Sequence, residues 1–90
     1  SPIMERRSMY LAWARVLGAE YAKLRKDTEH GRRTVMDRYG ATNAAEFFAV
    51  VTECFFEKPV QLKRKHPELY EEFMLYYQQD PAKFYPIRKM

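Results

Sequence analysis

The stretch DRYGATNAAEFFAVVTECFFE, residues 37–57, decides how the chain folds, because it leads from a polar turn into a segment that is apolar on most sides. At about 100° per residue, Glu46, Glu53 and Glu57 fall within roughly 20° of one line along a helix. Phenylalanine, valine and cysteine side chains take most of the other directions, a pattern typical of a buried helix. A buried carboxylate is costly without a cation, a metal or hydrogen-bond donors. The sequence therefore places the candidate site on this glutamate stripe.

The start of this helix allows a purely structural interpretation of Glu46. Asn43 followed by Glu46 three residues later has the form of a capping box ahead of an apolar run. In that interpretation Asn43 caps the helix and Glu46 serves the cap. A metal-binding interpretation stays open beside it, since a carboxylate near a helix start can change partner when metal is absent.

Three parts of the chain carry a family resemblance. They are D-x-Y-G-A-x-N-x-A-E-F-F-A-V-x-x-E-x-F-F over residues 37–56, HPELY over residues 66–70 and YYQQDP over residues 76–81. Together they resemble the zinc metallopeptidases of the Mlc titration factor A type, and the resemblance covers about residues 8–82. It implies the C-terminal helical part of a zincin-like metallopeptidase.

The resemblance also implies roles for individual residues. In the family, an HExxH helix supplies two histidine ligands and a general base, and a downstream glutamate matching Glu46 completes the zinc site. Tyr39 matches a tyrosine that stabilises the transition state, although it could equally be a packed loop aromatic whose hydroxyl bonds to the backbone. Glu53 and Asp37 are predicted to orient such groups by hydrogen bonding, whereas Glu57 is predicted to end its helix in solvent.

The chain departs from the family pattern in its histidines. His30 and His66 are its two histidines, and neither belongs to an HExxH motif. In the family that motif lies roughly sixty residues before the glutamate ligand, more than the positions that precede Glu46 here. We therefore expect the motif in another part of a longer protein, and we expect this chain alone to bind no zinc and to be inactive.

Two function classes follow. The first is part of a zinc-dependent peptidase, whose partners would be a peptide substrate and the HExxH-containing half. The alternative is a non-enzymatic interaction module, because the namesake of the family implies binding to a transcriptional repressor.

Composition bounds the remaining possibilities. The 90 residues are 47% hydrophobic and 16% aromatic, which suits one small folded unit. The resemblance implies that residues 1–90 form a single helical unit within a larger peptidase domain. The single cysteine, Cys54, excludes an internal disulfide and predicts a buried thiol in a cytoplasmic protein. No apolar run reaches the roughly 18 residues of a membrane span. The net charge of +4 comes from scattered basic residues without a nucleic-acid-binding motif, so nucleic acid is not an expected partner. Anion or nucleic-acid binding through Lys63, Arg64 and Lys65 is a third and weaker function class.

Periodicity and breakers predict three main helices plus a short one, a mainly α fold. The first helix runs from near Ser8 to near Asp27, and its glycine, Gly18, predicts a close crossing with another helix. Its predicted packing face is formed by Tyr10, Trp13, Val16, Leu17, Tyr21 and Leu24. Glu20 shares the direction of Trp13 and is predicted to pair with a basic neighbour.

The segments outside the long helices are predicted from turn residues. Residues 28–42 form a connection with an extended piece at residues 34–36. Pro59 ends the carboxylate helix and opens a short one over residues 61–65, and a last helix spans Pro67 to about Gln79. His66 is predicted to be a boundary residue rather than a metal ligand, and the tail over residues 83–90 could dock or extend freely.

Overall fold

The computed structural model describes residues 1–85, which form four α-helices and two 3₁₀ turns. The α-helices are α1 (Pro2–Glu29), α2 (Ala44–Glu57), α3 (Pro59–Lys65) and α4 (Pro67–Tyr77). The first 3₁₀ turn (Arg38–Ala41) precedes α2, and the second (Pro81–Phe84) follows α4. No strand occurs in this range, so the prediction of a mainly α fold with three long helices and a short one is confirmed.

The helix boundaries follow from local capping chemistry. The Asn43 side chain accepts a hydrogen bond from the Glu46 backbone N–H at 2.8 Å, as predicted for the N-cap of α2. Pro59 and Pro67 open α3 and α4, where their missing N–H groups leave no hydrogen bond unmade. Helix α4 ends two residues earlier than predicted, because Gln78 adopts the left-handed conformation with φ of 55°.

Helix α1 differs from its prediction in two ways. It starts at Pro2 instead of Ser8, because the Ser1 hydroxyl caps it by accepting from the Met4 backbone N–H. The prediction that Tyr10 packs is wrong, since the side chain is 68% exposed. Packing of α1 begins near Trp13, and every residue from 1 to 11 is exposed.

The connection between α1 and the first 3₁₀ turn is bent. Val35 and Met36 lie in a bend, so the predicted extended piece at residues 34–36 is wrong. The Thr34 hydroxyl donates to the Met36 carbonyl, and this local bond replaces the pairing that an extended segment would need. The bend buries Met36 in the core.

The core is an aromatic cluster between α1, α2 and α4. Phe55 lies near its centre, with ring centroids 5.0 Å from Tyr70 and 6.1 Å from Phe73. Trp13 of α1 stacks on Phe73 at 5.3 Å and on Tyr76 at 4.9 Å. These offset contacts fix α1 across α4 and leave one side of α2 at the surface.

Close backbone approach occurs at Gly40 and not at the glycine of α1. A Cβ built on Gly40 would meet Leu24 Cδ2 and Val50 Cβ, each at 3.1 Å. At Gly18 nothing within residues 1–85 lies within 4 Å of such a Cβ, so the predicted close crossing there does not occur in this part of the protein. The first 3₁₀ turn therefore sits tightly against α1 and α2.

Candidate functional site

Asp37 shapes the turn that presents Tyr39. Its carboxylate accepts the Tyr39 backbone N–H at 2.8 Å and caps the 3₁₀ turn. The Tyr39 carbonyl accepts the Thr42 hydroxyl at 2.7 Å, which closes the turn from its other end. Asp37 thus positions Tyr39 through the backbone.

The side chain of Tyr39 is open to solvent. It is 59% exposed, and its hydroxyl makes no hydrogen bond within the described residues. The alternative of a packed aromatic with a backbone partner therefore does not fit this residue. A free phenol on a fixed turn is a group that can donate to a bound ligand.

Glu46 occupies the first turn of α2 with an unpaired carboxylate. Its backbone N–H is the group that Asn43 caps, at 2.8 Å. The reciprocal bond of a capping box, from the Asn43 N–H to the Glu46 carboxylate, is not made. Within residues 1–85 the half-buried carboxylate has no hydrogen-bond or ion-pair partner. The cap explains the backbone of Glu46 and leaves its side chain unexplained.

The other two glutamates of the stripe face solvent. Glu53 and Glu57 are exposed, and Glu57 is the last residue of α2. The expectation that α2 buries its glutamate stripe is therefore wrong for Glu53, whereas Glu57 ends the helix in solvent as predicted. The buried direction of α2 is set by Phe47, Val51, Cys54 and Phe55. The glutamate stripe therefore lies beside the buried face of α2 and not within it.

Asp37 and Glu53 lie together in a shallow cleft of about 240 Å³. Glu57 and Lys58 line the same cleft, whereas Glu46 and Tyr39 do not. On a helix with a rise of about 1.5 Å per residue, Glu53 is roughly 10 Å along the axis from Glu46. Asp37 and Glu53 therefore line one cleft, and Glu46 lies outside it.

Cys54 is a buried free thiol, as predicted. Burial raises the pKa of Cys54 to about 11, and its S–H points at the Val35 carbonyl, with sulfur and oxygen 3.9 Å apart. A protonated thiol is a poor nucleophile and a poor metal ligand. Cys54 therefore belongs to the core and not to the site.

The two histidines take structural positions. His30 ends α1, where its ring nitrogen bonds the Lys26 carbonyl at 2.8 Å. His66 separates α3 from α4, as predicted for a boundary residue. Its Nδ1 lies 2.9 Å from Glu20 Oε1, so the basic partner predicted for Glu20 is a histidine 46 residues away.

A second polar cluster lies close to this pair. Asp27 accepts from Lys23 at 2.9 Å and from Arg32 at 3.3 Å, and these cations, Lys23 first, hold the pKa of Asp27 below its usual value. Together with Glu20 and His66 it lines a cleft of about 380 Å³. Sequence analysis did not find Asp27, although its spacing of four from Lys23 is the usual sign of a helical ion pair.

No group of three or more His, Cys, Asp or Glu side chains within residues 1–85 is arranged to hold a metal ion. A catalytic zinc takes three protein ligands and an open position. Glu46 fits the part of one carboxylate ligand, since its oxygens are not used elsewhere in the described fold.

Comparison with known proteins decides the family. A family sequence model described as glucose-regulated metallo-peptidase M90 matches residues 1–78. The chain belongs to this M90 metallopeptidase family. The match includes the exposed first turns of α1, so this part of the M90 chain lies inside the family's shared region.

The curated relatives are much longer than the M90 chain. The uncharacterised protein slr2042 of Synechocystis is 45% identical over 80 residues, which are 89% of this chain and 29% of that protein. Mlc titration factor A of Yersinia pestis and of Yersinia pseudotuberculosis are each 48% identical over 46 residues, or 51% of this chain and 17% of theirs. The chain thus spans less than a third of these relatives. No solved structure matches it.

No helix within residues 1–85 of the M90 chain is both long enough and apolar enough to cross a bilayer.

Proposed function

We propose that the M90 chain is the C-terminal part of a zinc-dependent peptidase and supplies one zinc ligand, the carboxylate of Glu46. The observation that carries this proposal is that the Glu46 carboxylate takes no part in the cap at the start of α2. Asn43 completes the helix cap by itself, and the half-buried Glu46 carboxylate has no partner within residues 1–85. A carboxylate that the described fold leaves without a partner keeps its oxygens available, and a bound cation would complement its charge.

The chemistry follows from the ligand type. Zinc bound by Glu46 and by histidines of the HExxH half would polarise the scissile carbonyl and activate water for peptide hydrolysis. The described residues contribute the carboxylate and hold it on the first turn of a capped helix. This position lets Glu46 keep its place in the fold while its oxygens remain available.

The Tyr39 hydroxyl is proposed to donate a hydrogen bond to the substrate carbonyl oxygen as negative charge develops there. Support comes from its exposure and from the turn that Asp37 and Thr42 close at both ends. Asp37 is accordingly a positioning residue for Tyr39. Glu53, which lines the same shallow cleft as Asp37, is proposed to orient a ligand group by hydrogen bonding.

The partners and the compartment of the whole protein belong to this proposal. The substrate is a peptide, and the HExxH half is the second part of the site. The single thiol of Cys54, buried and unpaired, is consistent with a reducing cytoplasm. Because one carboxylate is far from a full coordination shell, the isolated chain is expected to retain no zinc and to cleave no peptide.

The test compares two glutamates of α2 in the intact peptidase. Glu46→Gln preserves side-chain length and leaves the Asn43 cap in place, yet an amide is a poor zinc ligand. We expect loss of bound zinc and of turnover with little change in the free energy of unfolding. Zinc content, turnover and urea unfolding are the measurements.

Glu57→Gln is the matched control, since Glu57 lies on the same stripe and is exposed. It should leave zinc content and turnover at the level of the unaltered peptidase. Asn43→Ala should instead lower stability by about 0.5–2 kcal/mol with the zinc retained. A zinc-replete, active Glu46→Gln peptidase would exclude Glu46 as a ligand.

A second function is supported by the surface. Tyr10, Tyr39 and Tyr76 are exposed aromatics, and such residues are enriched at protein interfaces. Mlc titration factor A is named for Mlc, and we propose binding of a transcriptional repressor as the alternative function of this chain. Retained repressor binding by a Glu46→Gln protein that has lost zinc would favour this alternative.

A further inference from the structure

Gly40 lies where the turn that carries Tyr39 meets the helices beneath it. It directly follows the exposed Tyr39 in the chain and is itself buried. Its φ lies outside the left-handed region, so no strained backbone calls for glycine here. The requirement is one of space, because a Cβ on Gly40 would lie 3.1 Å from Leu24 Cδ2 and 3.2 Å from Val50 Cγ1.

Val50 belongs to the face of α2 that carries Glu46. The two residues are four apart in the helix, so they lie on one face, about 6 Å from each other along the helix axis. Gly40 therefore packs on α2 one turn beyond Glu46. The turn that carries Tyr39 thus contacts the side of α2 from which the Glu46 carboxylate projects.

Packing, and not hydrogen bonding, sets the orientation of this turn on α2. The bonds of the turn end at Thr42, whose hydroxyl and backbone N–H both donate to the Tyr39 carbonyl. The helix cap begins at Asn43, whose side chain accepts from the Glu46 N–H. Within residues 1–85 no hydrogen bond joins the turn to α2, so the contact at Gly40 holds the two together.

We propose that Gly40 is a positioning residue of the candidate site, because its contact with Leu24 and Val50 fixes Tyr39 relative to Glu46. This inference rests on the proposed function, in which a zinc ligand and a hydrogen-bond donor act on one substrate carbonyl. Their separation must then match the bound substrate. A displacement of about 1 Å at such a group lowers turnover by up to about a hundredfold.

The contact itself is tested by amide hydrogen exchange in the 90-residue chain. Val50→Ala removes the Val50 methyl groups from beneath Gly40 and leaves a good helix former in α2. The reporters are the Gly40 N–H, which donates to the Asp37 carbonyl at 3.0 Å, and the Thr42 N–H, which donates to the Tyr39 carbonyl at 3.1 Å. In Val50→Ala both should exchange faster by about tenfold or more, relative to the amides of α4.

Val51→Ala is the matched control, because Val51 is the next residue of α2 and loses the same two methyl groups. Val51 is 0% exposed in the core, so its truncation weakens the whole fold. It should not accelerate exchange at Gly40 and Thr42 beyond that of the α4 amides. The proposal is overturned by the same relative acceleration in both variants, by none in Val50→Ala, or by unprotected Gly40 and Thr42 amides in the unaltered chain.

The consequence for the reaction is measured in the intact peptidase, with kcat scaled to the folded fraction of each variant. Gly40→Ala and Val50→Ala should each lower kcat about tenfold or more, with zinc retained and KM within about threefold, because the donor acts mainly in the transition state. Val51→Ala should keep the kcat of the unaltered peptidase. If Gly40→Ala does not fold, Val50→Ala carries the test. A kcat that falls only with the folded fraction, or only together with zinc, overturns the positioning role.

The positioning role and the proposed function fail in different ways. A peptidase in which Glu46→Gln keeps zinc and turnover rejects the proposed function, whatever the exchange rates at Gly40 are. A peptidase inactivated by Glu46→Gln but unaffected by Gly40→Ala and Val50→Ala retains the proposed function and overturns the positioning role. Faster exchange at Gly40 in Val50→Ala, together with a lower kcat and retained zinc, supports it.

Discussion

Gly40 is the one glycine of residues 1–85 at which an added Cβ would meet neighbouring atoms within 4 Å. Its backbone approaches Leu24 and Val50 so closely that a Cβ would lie 3.1 Å from each. Both neighbours are held, Leu24 in the core and Val50 on α2, so neither gives way freely. Gly18 is the opposite case, an exposed helical glycine with space around it.

The two glycines therefore predict opposite effects of alanine. Gly40→Ala should lower the free energy of unfolding by about 1–3 kcal/mol through overpacking. Gly18→Ala should raise it by up to about 1 kcal/mol, because alanine is the better helix former. Urea unfolding of both variants gives the measurement. A destabilising Gly18→Ala would instead indicate that α1 packs closely against a partner there.

Cys54 shows how burial determines chemistry at one residue. Since burial raises its pKa to about 11, the thiol stays protonated at pH 8 in the folded chain. We predict that a thiol reagent labels Cys54 slowly in buffer and rapidly in denaturing urea. Stoichiometric labelling of the folded chain within seconds at pH 8 would contradict the buried position.

At the scale of elements, Tyr70 joins α4 to the second 3₁₀ turn. Its hydroxyl donates to Asp80 and accepts from the Ala82 backbone N–H at 2.9 Å. Burial, followed by the bond to Asp80, raises the pKa of Tyr70 to about 12. The helix end and the turn after it are thus held by one buried phenol.

Tyr70→Phe removes this link and leaves the Ala82 N–H without its partner. We expect a loss of about 1–3 kcal/mol at pH 8. The folded pKa lies above the usual value of about 10, so the stabilising effect of Tyr70 is complete below pH 10 and is lost as pH rises toward 12. The stability difference between the unaltered chain and Tyr70→Phe should therefore shrink between about pH 10 and about pH 12.

Tyr39→Phe serves as the control in the same urea titrations, because its hydroxyl has no partner within residues 1–85. It should change stability by less than about 0.5 kcal/mol. A constant difference between Tyr70→Phe and the unaltered chain across this pH range would show that Tyr70 does not titrate in the predicted window.

At the scale of the whole molecule, the chain is flat and extended. Its dimensions are 46 × 36 × 16 Å, and its radius of gyration is 14.0 Å. A compact domain of 90 residues would have a radius of about 12 Å. A layer 16 Å thick leaves little interior, and the long α1 projects from it.

This shape predicts a helical but weakly stable chain. We expect a free energy of unfolding at or below about 5 kcal/mol, or concentration-dependent self-association through the exposed apolar surface. Urea unfolding and sedimentation at several concentrations measure both. A monodisperse monomer near the upper end of the usual range, about 15 kcal/mol, would instead identify an autonomous domain.

Local sequence signals established the helices and the capped start of α2. Asn43, Pro59 and Pro67 act on the few residues next to them, so their effect can be predicted without knowledge of the tertiary structure. The same holds for the burial of Cys54 on the apolar side of its helix. The candidate zinc ligand, Glu46, came from a family resemblance, and its assignment stays a prediction.

Partners and exposure were decided by tertiary packing. His66 as the partner of Glu20, the close approach at Gly40 and the exposure of Tyr10 depend on where α1 crosses the other helices. Periodicity shows that a helix has an apolar face but not how far a neighbour extends along it. The free carboxylate of Glu46 belongs here as well, because a capping box made in half or in full has the same sequence, and only the folded chain shows which bond is absent.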